Sequence, residues 1–269
     1  MRFHESQLVL MYQWSDVRIR FSVEKGVARL TLANPKGYNV MDLQFCQQLG
    51  KAAIACETNP DIKVILIEAE GDVFSMGGDI HSFVDNKDRV HAYVLDMATQ
   101  IHIGVAGLRR APAPVIAAIN GTCAGGAFSL IAGADVVIAK RSAKFNPAFT
   151  KWGLTPDAGG TYFFPRVAGW RKAFWIMATN PTLTAEQAAE IDLVTQVVDD
   201  ETFRDEVEKL VNQFANAAPG GLAGLKALFR ASMTNTLDDQ LNLEARSVSA
   251  RCADPHTMER LIGFLNKGK

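Results

Sequence analysis

Three short stretches of the chain have residue types and spacing that could support chemistry. They are FSMGGDI at 74–80, NGTCAGGA at 120–127 and GLTPDAGGT at 153–161. The first two place glycines shortly after apolar runs, so that a ligand could come close to the backbone there. The third contains a single acid, Asp157, among turn residues. The possible chemistry therefore depends on the glycine N–H groups and on whether the Asp157 carboxylate is available to a ligand or used within the turn.

The two glycine stretches are suited to holding a negatively charged oxygen. The second leads into a predicted helix, whose free N–H groups and dipole favour an anion. One N–H group from each stretch would form an oxyanion hole, where a donor is typically worth about 3–4 kcal/mol of transition-state stabilisation. Either stretch alone is equally compatible with an ordinary turn between a strand and a helix.

Asp157 has two interpretations. Pro156-Asp157 followed by glycines is typical of a turn, and the aspartate could cap a helix beginning near Ala158. Alternatively, the carboxylate acts as a base in an apolar setting, which would raise its pKa. The apolar residues near it in the sequence are Phe149, Trp152, Leu154 and Phe163.

The elements that would position these stretches are those of an α/β protein. Apolar, β-branched runs predict strands at 17–23, 27–33, 63–69, 114–120 and 134–139. Helical periodicity predicts helices at 42–57, 91–108 and 126–133, and then at 201–217, 219–233, 237–252 and 256–267. We therefore expect an N-terminal extension at 1–14, an α/β core with the active site at 15–199, and a helical region at 200–269.

Composition and charge exclude several classes of protein. The net charge is −1 with no long basic run, so nucleic-acid binding is not expected. No stretch reaches the roughly 20 apolar residues of a membrane span, and the N-terminus does not resemble a signal peptide. The four cysteines lack C-x-x-C spacing, which favours a reducing compartment over disulfides or zinc. We expect a cytoplasmic protein without a metal site.

In their order along the chain, the motifs resemble the crotonase superfamily, the enoyl-CoA hydratase/isomerase family. The resemblance extends from about residue 15 to the C-terminus. Besides the three stretches it includes Asn34-Pro35, Asn39-Val40-Met41, SAKFNPAF at 142–149 and LTAEQAAEIDLVTQVV at 183–198. It implies a spiral of ββα repeats, a helical C-terminal trimerisation region, and a homotrimer or dimer of trimers.

The resemblance also implies a shared chemistry, the stabilisation of an acyl-CoA thioester enolate by two backbone N–H groups. The matching donors in this sequence are Gly78 and Gly126. Coenzyme A belongs to the acyl-CoA substrate, so no separate cofactor is implied. The segments matched to coenzyme A contacts are those around Lys36, Asn39, Val40, Met76 and Ile80, with Phe264 and Lys267 near the C-terminus.

The position of acidic residues favours isomerisation over hydration. Hydratases of that family use two glutamates, whose places in this sequence are Ser129 and Phe149. Neither residue can activate a water molecule, so hydratase activity is not expected. Asp157 falls where family isomerases carry their single acid, with most resemblance to ring-1,2-epoxyphenylacetyl-CoA isomerases and Δ3,Δ2-enoyl-CoA isomerases. The resemblance implies isomerisation of a double bond or ring epoxide with Asp157 as catalytic base.

Two alternatives remain open. In the 4-chlorobenzoyl-CoA dehalogenases of the same superfamily, an aspartate in this loop is a nucleophile and a histidine on the preceding helix activates water. His102 lies at about that place, although a lone histidine on a half-apolar helix also fits a packed or surface residue. The second alternative is a non-catalytic acyl-CoA-binding protein, or a hydratase in name only.

Overall fold

The computed structural model describes residues 16–266, which form two sheets surrounded by helices. The N-terminal extension predicted at 1–14 and the predicted contact Lys267 lie outside the described residues. The strands are β1 Ile19–Glu24, β2 Val27–Leu32, β3 Val64–Ala69, β4 Val73–Ser75, β5 Val115–Ile119, β6 Thr122–Ala124, β7 Val136–Lys140, β8 Lys144–Asn146, β9 Leu183–Thr184 and β10 Gln196–Val198.

The helices fall between the strands and then continue alone to the end of the described chain. They are α1 Leu43–Thr58, α2 Ile80–Asp85, α3 Val90–Arg110, α4 Gly126–Ile131, α5 Gly160–Ala168, α6 Trp170–Thr179, α7 Ala185–Ala189, α8 Phe203–Ala215, α9 Gly221–Ser232, α10 Leu237–Cys252 and α11 Pro255–Asn266. Among residues 16–266, no helix is both long enough and apolar enough to cross a membrane.

The larger sheet has six strands in the order β1-β2-β3-β5-β7-β10. Strands β1 and β2 form an antiparallel hairpin, and every other neighbouring pair is parallel. Strand β5 is buried along its whole length, because one core packs on each face of the sheet. Helices α1 and α3 contribute to one core and α8 to the other.

The smaller sheet has four strands in the order β4-β6-β8-β9. Each of β4, β6 and β8 follows a strand of the larger sheet after a turn of a few residues. Periodicity cannot predict strands this short, since three residues complete barely one alternation of faces. A pair of strands followed by a helix recurs along the chain, and this confirms the predicted α/β class with ββα repeats.

The last three helices, α9, α10 and α11, contribute few buried residues. Lys226 of α9 is buried, and its ammonium group donates to the carbonyl oxygens of Leu108 and Ala113. It also pairs with Asp135 at 2.8 Å. Helices α10 and α11 contain no buried residue and expose large apolar side chains, among them Leu237, Leu241, Val248, Ile262 and Phe264.

Candidate active site

The smaller sheet brings the two glycine stretches together. Strands β4 and β6 are parallel neighbours, so the chain leaves both of them at the same edge of the sheet. Gly77 has a φ of +82°. A β-carbon built on it would lie 2.6 Å from the carbonyl oxygen of Ala124 and 3.0 Å from the nitrogen of Gly126. Glycine at position 77 therefore permits both the backbone conformation and the close approach of the stretches.

The N–H group of Gly78 is left free by its local pairing. Gly78 forms an isolated parallel bridge with Met41. In that bridge Met41 N–H donates to the carbonyl of Gly77 at 2.8 Å, and Asp79 N–H donates to the carbonyl of Met41 at 3.2 Å. Because the two flanking residues use the bonds toward Met41, the N–H of Gly78 points elsewhere. It donates to no residue within 16–266.

Gly126 supplies a second free N–H group at the beginning of α4. Its N–H belongs to the first turn, which has no acceptor within the helix. Gly125 precedes it with a φ of +56°, and a β-carbon there would lie 3.9 Å from the nitrogen of Gly78. Two donors without a partner among the described residues thus lie close together, as an oxyanion hole requires.

Asp157 lies next to these donors and its carboxylate is not used by the turn. Its Oδ1 atom is buried without a hydrogen-bond partner in the described part of the chain. The same atom is 3.7 Å from the point that a β-carbon on Gly126 would occupy. The carbonyl oxygen of Asp157, not its side chain, accepts from Gly160 N–H at 2.9 Å. Helix α5 has no side-chain cap, so capping does not account for this aspartate.

Burial raises the pKa of the Asp157 carboxyl above its ordinary range. The positive charge that His102 can carry and the backbone N–H of Asp157 itself act in the opposite direction without cancelling this effect. The environment therefore makes Asp157 a stronger base than an exposed aspartate.

Cys46 lies near Asp157 but cannot compete with it as a nucleophile. It is buried on α1, and burial together with the charge of Asp157 raises its pKa to about 12. A thiol with that pKa is protonated at neutral pH, and the thiol is a far weaker nucleophile than the thiolate.

The structure brings His102 close to the Asp157 turn. His102 is exposed on α3, and its Nε2 atom accepts a hydrogen bond from Ala158 N–H at 3.3 Å. Only the neutral tautomer with its hydrogen on Nδ1 can accept at Nε2. Ala158 is fully buried and has a φ of +49°, a left-handed conformation that alanine rarely adopts.

The two positions that the resemblance matches to the glutamates of hydratases hold buried, uncharged side chains, Ser129 and Phe149. Ser129 is fully buried on α4, with its hydroxyl packed under Gly160 and no partner among the described residues. Phe149 is buried just before the 3-10 turn at 150–152. Within 16–266, no group of three or more histidine, cysteine, aspartate or glutamate side chains could hold a metal ion.

A cleft of about 510 Å³ opens beside Asp157 and His102. It lies between α3, the segment 156–163 and the end of α9, and its walls include Val105, Phe163 and Met233. Two of the arginines that line it, at positions 109 and 110, are paired with Asp135 and Glu57 respectively. The cleft is large enough for a small acyl or aromatic group.

The residues predicted to contact coenzyme A differ in their exposure to solvent. Lys36, Met76, Ile80 and Phe264 are exposed, and Val40 is half-buried.

Asn39 is different, because its side chain is buried and fully used. Its amide donates to the carbonyls of Glu70 and Val73, and its oxygen accepts from Asn34 N–H. The side chain of Asn39 therefore holds the loop before Met41, and any contact with a ligand would come from its neighbours.

Sequence reasoning missed two side chains that line the site. The sulfur of Met41 is 3.1 Å from the β-carbon point of Gly126, and the ring of Phe83 is 3.4 Å from that of Gly78. Met41 is part of the Asn39-Val40-Met41 motif, which could have indicated it. No pattern marks Phe83, since α2 has only six residues and none of them is buried.

Comparison with known proteins identifies relatives that match nearly the whole chain. The chain is 38% identical over 248 residues to the 1,2-epoxyphenylacetyl-CoA isomerase of Escherichia coli K12, covering 91% of this chain and 94% of that protein. It is 30% identical over 255 residues to 4-chlorobenzoyl coenzyme A dehalogenase-2 of Arthrobacter sp., covering 94% and 92%.

The fold is similarly shared with solved structures. A crystal structure of an enoyl-CoA hydratase from Polaromonas sp. JS666 superposes with a TM-score of 0.86 at 28% identity, covering 93% of this chain and 97% of that one. The family model described as enoyl-CoA hydratase/isomerase matches residues 22–269. The chain belongs to the enoyl-CoA hydratase/isomerase family, the crotonase superfamily.

Proposed function

We propose that this protein is an enoyl-CoA isomerase that uses Asp157 as its single catalytic base. The observation that carries the proposal is the buried carboxylate oxygen of Asp157, which has no hydrogen-bond partner among residues 16–266 and lies 3.7 Å from the β-carbon point of Gly126. Burial raises its pKa, which suits a base that must both take and return a proton. No second carboxylate stands at Ser129 or Phe149, so activation of water by two acids is not supported.

The proposed reaction moves one proton and one double bond. The thioester oxygen accepts hydrogen bonds from the N–H groups of Gly78 and Gly126. Asp157 takes a proton from carbon 4 or carbon 2 of the acyl group, and the electron pair of that C–H bond forms the enolate. The carboxyl group then returns a proton to the other carbon, and the double bond moves between positions 2 and 3. No water is added or removed.

The isomerase proposal extends to ring substrates because of a relative's name. The protein from Escherichia coli that is 38% identical is named for the isomerisation of 1,2-epoxyphenylacetyl-CoA. The cleft beside Asp157 would hold either an alkenyl chain or a ring. The proposal therefore covers acyl groups of both classes, alkenyl chains and rings.

A hydrolytic dehalogenase is the second candidate, and one observation favours it. His102 lies within hydrogen-bond distance of the residue after Asp157. An aspartate nucleophile and a histidine base would together replace a ring halide by hydroxyl. Against it, the Nε2 atom that would activate water faces the N–H of Ala158 in this structure. A non-catalytic acyl-CoA-binding protein is the third candidate.

We propose in addition that the protein assembles as a homotrimer or a dimer of trimers. Helices α10 and α11 expose apolar side chains along their length, a pattern typical of surfaces buried between subunits. Light scattering on the purified chain should then give three or six times the 29.3 kDa monomer mass. A monomer at micromolar concentration would contradict this part of the proposal.

We propose that coenzyme A is bound near Lys36, Val40, Met76 and Ile80. Around these positions the exposed side chains of Met76 and Ile80 flank Gly78, so the thioester would reach the free N–H groups from there. Lys36 is exposed in the 3-10 turn at 35–37 and could meet a phosphate. Phe264 and Lys267 would reach a neighbouring subunit's ligand only in an assembled trimer.

The discriminating experiment is a substrate panel analysed by liquid chromatography and mass spectrometry, since the two hexenoyl isomers have the same mass and must be separated. Trans-3-hexenoyl-CoA, trans-2-hexenoyl-CoA and 4-chlorobenzoyl-CoA are each incubated with the purified protein. Interconversion of the two hexenoyl isomers without a gain of 18 mass units supports the isomerase. A hydrated product contradicts the reading of Ser129 and Phe149, and chloride release supports the dehalogenase. Binding without any product on this panel, or on a ring-epoxide acyl-CoA, supports the non-catalytic candidate.

A further inference from the structure

We propose that His102 is a positioning residue that holds the Asp157 turn in its productive conformation by accepting the Ala158 N–H at Nε2. This inference rests on the proposed function of Asp157 as the base. It gives His102 a role that requires neither contact with the substrate nor transfer of a proton to it.

The turn needs such support because its backbone is unfavourable. Ala158 has a φ of +49° and Gly159 a φ of +81°, so two consecutive residues are left-handed. Alanine tolerates this region poorly, since its β-carbon approaches the neighbouring carbonyl. Conformations of this kind persist only where the surroundings fix them, and they are concentrated at functional sites.

His102 supplies the hydrogen-bond partner that the surroundings would otherwise lack. Ala158 is fully buried, and a buried N–H group without a partner is costly. Its N–H has no backbone acceptor within the described residues, and the imidazole of His102 accepts it at 3.3 Å. On the other side of the turn, Gly160 N–H donates to the carbonyl of Asp157. Together the two bonds engage both the N–H and the carbonyl of the peptide unit that joins Asp157 to Ala158.

The geometry also predicts how the support responds to pH. A protonated imidazole donates at both nitrogens and cannot accept, so the bond to Ala158 requires neutral His102. The charged and titratable groups in the same cleft are Asp157, Tyr162, Arg109, Arg110 and Arg230, and α1 contributes Glu57 beside Arg110. Protonation would place a positive charge beside Asp157, weakening it as a base while releasing the turn.

The test compares two substitutions at this position. His102→Leu keeps apolar bulk without an acceptor, whereas His102→Gln places an amide oxygen about where Nε2 lies. We expect His102→Leu to lower kcat about three- to tenfold with KM changed less than twofold, in keeping with the loss of one hydrogen bond. His102→Gln should keep kcat within about twofold of the wild-type value, because its amide oxygen can accept the same hydrogen bond. His91→Gln, the same change at an exposed site on α3, is the matched control and should change nothing.

A second measurement does not depend on activity. Hydrogen exchange followed by mass spectrometry on a peptide covering 153–163 reports whether the Ala158 amide is protected. His102→Leu should speed exchange there, while His102→Gln and His91→Gln should not. This readout keeps the inference testable even if the substrate panel shows that the protein is not an isomerase.

Two results would overturn the inference. If His102→Leu leaves both kcat and amide exchange at wild-type values, the hydrogen bond does not hold the turn. If His102→Gln instead abolishes turnover while amide exchange stays protected, His102 acts on the substrate or on water, as a hydrolytic mechanism requires.

Discussion

The six-stranded and four-stranded sheets are built from the same connections, yet only the smaller one carries the candidate site. The chain passes from β3 to β4 and from β5 to β6 within a few residues. Strand β5 is covered on both faces and contributes side chains to two cores. Strands β4 and β6 each have three residues and end in the glycine stretches that hold Gly78 and Gly126. The larger sheet therefore carries most of the buried core, and the smaller sheet positions the backbone N–H groups of the candidate site.

We infer from this difference that substitutions can change stability and activity separately in this fold. Side chains of the larger sheet act by removing apolar area from water, which does not depend on the position of any single atom. The smaller sheet acts by bringing backbone N–H groups together, where a shift of about 1 Å can cost about 100-fold in rate. Substitutions in the two sheets should accordingly affect different measurements.

The largest expected effect comes from Gly77→Ala. The new β-carbon would lie 2.6 Å from the carbonyl oxygen of Ala124, so the glycine stretches must separate. We expect kcat to fall about 10²–10³-fold, as for the loss of an oxyanion-hole donor. Steady-state kinetics on the preferred hexenoyl-CoA isomer checks this.

The control for that substitution lies in the larger sheet. Gly26 in the β1–β2 turn has a φ of +81°, against +82° for Gly77, but its nearest neighbour is the flexible side chain of Lys63. Gly26→Ala should lower the free energy of unfolding by about 1–2 kcal/mol, through backbone strain and a close contact with the carbonyl oxygen of Asp61 at 3.2 Å, and should leave kcat unchanged. Equal kcat values for the two variants would refute the separation of roles.

In contrast to Gly77→Ala, Leu66→Ala should lower the stability of the protein and leave kcat unchanged. Leu66 is fully buried in β3, within the core formed with α8. Deleting this side chain leaves a cavity and should lower the free energy of unfolding by about 2–5 kcal/mol. Urea unfolding measures that loss, and kcat at a temperature where the variant stays folded should equal that of wild type. A reduced kcat in the folded variant would mean that the larger sheet also sets the site geometry.

The smallest expected effect concerns the pH dependence of stability. Burial raises the pKa of folded Asp157 above its value in the unfolded chain, so the folded state binds the proton more tightly. The resulting stabilisation is complete below the unfolded pKa and is lost as pH rises through the folded pKa. Asp157→Asn removes this slope, which urea unfolding at a series of pH values can measure. An identical slope in the variant would mean that Asp157 is not buried as described.

The longer strands of the larger sheet could be predicted from the sequence, because strands buried on both faces are nearly continuous runs of apolar residues. The runs at 63–69, 114–120 and 134–139 are nearly continuous apolar residues and became β3, β5 and β7 with ends shifted by one or two residues. The helix expected to begin near Ala158 begins at Gly160, and α4 ends at Ile131 instead of 133. Strands β4, β6, β8 and β9 of the smaller sheet and β10 of the larger one escaped prediction, because segments of two or three residues show no period.

The site could be predicted only where the types of neighbouring residues indicate a chemical role. Asp157 among turn residues and the paired glycines at 77–78 and 125–126 could be selected from the sequence and motif order. The N–H donor at Gly78 was implied by the resemblance alone, because the freedom of this N–H depends on a bridge to Met41 between segments far apart in sequence. The bond from Ala158 to His102 could not be predicted, because it joins residues 56 positions apart.

The most direct test of the account is proton exchange at the acyl group, with and without the carboxylate. Wild type and Asp157→Asn are incubated with trans-3-hexenoyl-CoA in D₂O, and deuterium at carbons 2 and 4 is followed by NMR together with isomer composition. The account predicts that the variant still binds the ester while isomerisation and deuterium entry slow at least about 100-fold. Isomerisation by Asp157→Asn at the wild-type rate would show that another group moves the proton.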